Sequence, residues 1–79
     1  MHFLIEYDRQ KGRLVSMSVF DTAEREQAED SRLRLELDLN RAGIEHEVVM
    51  LEASSEEALR LTHRRYFENL TELVSTPQE

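Results

Sequence analysis

The chain has 79 residues, 39% of them hydrophobic and 34% charged, which suits one small domain. It contains no cysteine. A disulfide framework, a thiolate zinc site and a cysteine nucleophile are therefore excluded. Ten basic residues stand against seventeen acidic ones, a formal charge of −7. A domain of that charge would repel nucleic acid and anionic membranes, because both reward Lys and Arg brought to phosphates. Neither is expected as a partner. The longest apolar run, Val48 to Leu51, is far short of the roughly 20 residues that span a bilayer as a helix. The opening Met-His-Phe-Leu-Ile-Glu does not read as a signal peptide, so a cytoplasmic location is expected.

Residues 2–8 alternate as a strand, with Phe3, Ile5 and Tyr7 on one face and Leu4, Glu6 and Asp8 on the other. Residues 9–12 are a polar turn ending in Gly12, and residues 13–20 form a second strand, so a hairpin is expected. Asp21-Thr22-Ala23-Glu24 has the spacing of a capping box. Helix formers follow to Ala42, and Gly43 sits where a left-handed residue closes a helix. Leu33, Leu35, Leu37 and Leu39 alternate with charged residues in a strand-like pattern. Helix is nevertheless preferred, because no residue from 31 to 42 is β-branched and both helix ends carry signals. Residues 44–52 read as a third strand. Ser54-Ser55-Glu56-Glu57 then opens a second helix reaching about Val74, with Ala58, Leu59, Tyr66, Phe67, Leu70, Leu73 and Val74 on its apolar side.

The expected fold is α+β in the order β-β-α-β-α. Its three-stranded sheet has strand order 2-1-3, with both helices on one face and the other face open. Residues 1–74 make up the domain and residues 75–79 a frayed tail. A core of this size is marginal without metal or disulfide, and self-association is one remedy.

Three constellations could carry function. On the first helix, Ala28, Leu35, Leu39 and Ala42 share one side, while Leu33 and Leu37 fall near the other. Two leucines one turn apart on a charged face suggest an interface, most simply a homodimer. The competing reading is that a wide helix face or the second helix covers them. On the second helix, His63, Arg64, Arg65 and Tyr66 could bind a small anion, with Arg65 as the fork and His63 as a donor or acid–base group. The bland alternative is a packed histidine and two arginines answering Glu68 and Glu72. On the open sheet face, Glu6 and Asp8 could meet Ser16, Ser18 and either His46 or the pair Glu45 and Glu47. Ser, His and carboxylate are the ingredients of nucleophilic catalysis, but no glycine-rich elbow surrounds either serine. In a strand, Glu45 and Glu47 point away from His46, so the three cannot share a metal ion, and a site would need His2 or Glu6 from a neighbouring strand. No phosphate-binding, dinucleotide-binding or metalloprotease motif occurs, so neither a cofactor nor a resident metal is expected.

Three stretches resemble a group of short bacterial proteins with no assigned function. These are Glu6-Tyr7-Asp8-Arg9, Glu47-Val48-Val49-Met50-Leu51, and Ser55-Glu56-Glu57-Ala58-Leu59-Arg60 running on to Thr62-His63-Arg64-Arg65-Tyr66-Phe67. The resemblance implies a shared small α+β fold and no particular activity. The expected function is a non-enzymatic homodimerising or protein-interaction module. The alternative is an anionic-ligand binding protein or enzyme using His63, Arg65 and Tyr66. A third reading is an acidic decoy for a nucleic-acid-binding protein; the interspersed basic residues argue against it.

Overall fold

The computed structural model describes residues 1–67. Strand β1 (His2–Asp8) is central. It pairs antiparallel on one side with β2 (Arg13–Phe20) and on the other with β3 (Glu47–Glu52), giving the expected order β2-β1-β3. Helix α1 (Arg25–Ala42) links β2 to β3, and helix α2 (Glu56–Thr62) follows β3.

The local signals explain most of the boundaries. In the hairpin, one carboxylate oxygen of Asp8 accepts from the backbone N–H of Gln10 at 3.0 Å and of Lys11 at 3.1 Å. Gly12 closes the turn at φ 64° and donates its N–H to the Asp8 carbonyl at 2.8 Å. The register slips between Glu6 and Tyr7: Glu6 faces Ser16, but Tyr7 faces Leu14, leaving Val15 as the extra residue of a bulge. The slip turns Leu14 toward the core and leaves Val15 exposed.

Ahead of α1, Thr22–Glu24 form a turn of 3-10 helix, and the Glu24 carboxylate accepts from the Asp21 N–H at 2.8 Å. Residues 31–39 are helical, so the leucine alternation there does not make a strand. At the other end Gly43 adopts φ 70°. Its N–H bonds to the Asn40 carbonyl and that of Ile44 to the Leu39 carbonyl, which is the Schellman closure. That closure and the loop after it occupy residues 43–46, so β3 starts at Glu47 rather than at the expected residue 44.

Helix α2 starts as anticipated, with the Ser55 hydroxyl accepting from the Ala58 N–H at 3.1 Å. It does not run on through residue 67. It ends at Thr62, whose hydroxyl turns back to the Ala58 carbonyl at 3.0 Å, and His63 leaves the helical region at φ −128°. Arg64–Tyr66 then form a 3-10 turn. The remainder of the expected helix, including Leu70, Leu73 and Val74, lies outside the described residues, as do Glu68, Glu72 and the 75–79 tail.

The core cluster joins Phe3, Ile5 and Tyr7 of β1 to Leu59 of α2 and Tyr66 of the 3-10 turn. Met17, Val49 and Leu51 pack at its margin. All three strand residues lie on one sheet face, and α2 covers it. The other face of β1 is also covered: Leu4 is 4% exposed and Glu6 8%. There Ala28 of α1 lines a cavity with His2, Met50 and Glu52, which stand in register on that second face. The two helices therefore take opposite faces instead of sharing one. The reason lies in β1, whose Leu4 is as apolar as its neighbours Phe3 and Ile5. A central strand apolar on both faces needs cover on both.

Candidate functional site

Helix α1 presents two sides. Ala28 and Leu39 are buried and Leu35 is half-buried, which marks the side turned to the sheet. Leu33 and Leu37 are 56% and 47% exposed. At about 100° per residue these two lie nearly opposite the buried stripe. They share a shallow groove of about 290 Å³ with Asp30, Arg34, Asp38 and Arg41. Neither α2 nor the sheet covers them, so the expectation that the pair faces away from the domain agrees with their exposure. Among the described residues, Val15, Val19, Ile44 and Leu61 are the other exposed large apolar residues. None of these forms a one-turn pair on a described helix.

The second constellation is brought together only in part. Arg65 and Tyr66 converge on the Glu47 carboxylate. The Arg65 guanidinium donates to its two oxygens at 3.0 and 3.2 Å, and the Tyr66 hydroxyl donates at 2.8 Å. Arg65 also stacks 4.4 Å from the Tyr66 ring centroid, and Tyr66 meets Tyr7 edge-on at 5.1 Å. Burial, followed by the Glu47 hydrogen bond, pushes the Tyr66 hydroxyl above the usual phenol range. Arg65 and Tyr66 thus act as an anion receptor, and the anion they hold is the chain's own Glu47. His63 turns aside, its Nδ1 2.9 Å from the Thr62 hydroxyl. Arg64 opens the 3-10 turn that carries Arg65 and Tyr66.

The third constellation assembles more completely than spacing alone indicated. His46 lies under Glu6 and Asp8, with Nδ1 2.6 Å from a Glu6 oxygen and Nε2 3.6 Å from an Asp8 oxygen. The Ser16 hydroxyl donates to the other Glu6 oxygen at 3.3 Å. The alternation of β3 explains why His46 joins this group while Glu47 goes to the opposite face with Arg65. The order of contacts is Ser16–Glu6–His46, so the carboxylate separates hydroxyl from imidazole. A histidine base activating a serine needs those two in direct contact, and this arrangement does not provide it. The group instead ties the loop before β3 to the central strand. Among the described residues no set of three or more His, Asp, Glu or Cys is placed to hold a metal ion. No described helix is long and apolar enough to cross a membrane.

No protein-family model matches the chain, and comparison with curated proteins and with solved structures returns no match. The functional argument therefore rests on the side chains themselves. The polar clusters on both sheet faces are internally satisfied, and no buried side-chain nitrogen or oxygen among the described residues lacks a partner. The groove of α1 is the feature whose composition the fold does not use.

Proposed function

We propose that the protein is a small non-enzymatic interaction module that self-associates through the outer face of α1. The observation carrying this reading is the Leu33 and Leu37 pair, 56% and 47% exposed and one turn apart on an otherwise charged surface. Covering each leucine in a protein contact contributes roughly 1–2 kcal/mol of hydrophobic stabilisation. A helix of 18 residues is about 27 Å long, too short to bury alone the roughly 1,200–2,000 Å² of a stable interface. The association is accordingly weak and concentration-dependent.

The test is solution mass by size exclusion with light scattering over a concentration series. The wild-type chain is expected to rise from 9.3 kDa toward twice that value. The variant Leu33→Glu with Leu37→Glu is expected to stay monomeric with an unchanged circular dichroism spectrum. A wild type that remains monomeric throughout, or a folded variant that associates as the wild type does, overturns the proposal.

A further inference from the structure

We infer that two copies of the chain pair their α1 helices antiparallel about a two-fold axis, with Asp30 opposite Arg41 of the second copy and Arg34 opposite Asp38 of the second copy. This deepens the self-association reading above and rests on it.

The argument begins with which charges on α1 are already used. Arg25 pairs with Glu29 at 3.4 Å and Arg32 with Glu36 at 3.5 Å, both at i,i+4 spacing on the helix surface. Asp30, Arg34 and Asp38 have the same spacing, and such neighbours commonly pair. They do not do so here. Among the described residues, none of Asp30, Arg34, Asp38 and Arg41 is in an ion pair. These four are also the polar lining of the Leu33 and Leu37 groove.

Their order along the helix is negative, positive, negative, positive. A two-fold axis perpendicular to two antiparallel helices sets a flank against its own reverse. Read in reverse, this flank is positive, negative, positive, negative, so each charge meets its opposite. One axis position serves every contact. The midpoints of the Asp30–Arg41, Arg34–Asp38 and Leu33–Leu37 pairs all fall between positions 35 and 36 of the helix. They agree to within about one residue, or roughly 1.5 Å of rise. The leucines then interleave at the centre and the ion pairs form the rim, the usual anatomy of a protein interface. Charge complementarity of this kind mainly fixes register and partner choice.

The absence of native cysteine gives a clean test. Asp30→Cys and Arg41→Cys variants are oxidised separately and as a mixture, at a concentration where the wild type is associated. The mixture is expected to form a disulfide-linked heterodimer. Asp30→Cys alone is not, since its two copies would lie about 16 Å apart along the helices. In parallel, Asp30→Arg with Asp38→Arg makes the flank wholly basic, and Arg34→Asp with Arg41→Asp makes it wholly acidic. Each variant alone is expected to lose association by at least about tenfold, the equivalent of about 1.4 kcal/mol, and mixing the two to restore it. Efficient self-linking of Asp30→Cys, or unchanged self-association of both charge variants, overturns the antiparallel register while leaving self-association intact. A monomeric wild type overturns both.

Discussion

His46 Nδ1 lies 2.6 Å from Oε2 of Glu6, joining the loop before β3 to the central strand across forty positions of sequence. Glu6 is 8% exposed, so losing its partner leaves a nearly buried carboxylate with only the Ser16 hydroxyl. Replacing His46 by Ala is expected to destabilise the fold by about 1–3 kcal/mol. That is roughly 4–8 °C of melting temperature per kcal/mol for a domain of this size. A thermal melt checks it. A double-mutant cycle of His46→Ala with Ser16→Ala should show non-additive losses, because both residues bond one carboxylate.

Tyr66 makes the same kind of link on the opposite sheet face. Tyr66→Phe keeps the edge-on contact with Tyr7 and removes the hydrogen bond to Glu47. The expected cost is about 1–2 kcal/mol, since the acceptor is charged. Burial and Glu47 raise the folded-state pKa of Tyr66. Its contribution to stability is therefore complete below the ordinary phenol value of about 10 and is lost as pH rises through the higher folded value. Ultraviolet titration of the phenolates should show a late-titrating component in the wild type that Tyr66→Phe lacks.

Asp8 titrates in the opposite sense. The hydrogen bond from the Lys11 N–H holds its carboxyl below the usual range, with smaller help from His46 and the Gln10 N–H, against a desolvation effect in the other direction. The stabilisation is present above the ordinary Asp value of about 4 and is lost as pH falls through the depressed one. Carboxyl chemical shifts should place the Asp8 midpoint below the ordinary Asp value. In Asp8→Asn the acid-side decline in melting temperature should be shallower, because that share of the loss is gone.

Gly43 tests the closure of α1. A Cβ added there meets nothing within 4 Å, so any cost of substitution comes from the backbone at φ 70°. Gly43→Ala is expected to lose about 1 kcal/mol, and Gly43→Asn less, since Asn tolerates the left-handed region. Denaturant unfolding of the three proteins gives the ranking directly.

These sites differ in how far they could be read from sequence. Gly12, the Asp21 and Glu24 cap, Gly43 and the Ser55 cap are local devices; each acts within a few residues, and spacing alone identifies them. The outward side of Leu33 and Leu37 is equally legible, because helical angle fixes it once the helix is established. Helix placement is not. It depends on Leu4, whose apolar side chain on the second face of β1 calls for its own cover. The end of α2 at Thr62 carries no Gly or Pro to announce it. It is set by the distant demand of Tyr66 for Tyr7 and Glu47. For the same reason, Arg65 and Tyr66 read as a site for an outside anion until the register of β3 brings Glu47 to them. His46 was one of two possibilities for the Glu6 group, decided by where β3 begins.

The central position of β1 has a consequence for how the chain is made. Met1 bonds Ala53 through both its amino group and its carbonyl, a separation of 52 positions. Of the three strands, the first to be synthesised is thus the one whose second edge is filled last. Until β3 emerges, the hairpin of β1 and β2 offers a bare, strongly apolar border to whatever is nearby. Closing the sheet requires a long loop whose ordering precedes the contacts that reward it. Early formation of α1, through its own caps, shortens that search by turning most of the intervening chain into a rod. A stalled nascent chain ending before residue 47 should therefore be more prone to aggregate than one carrying all three strands.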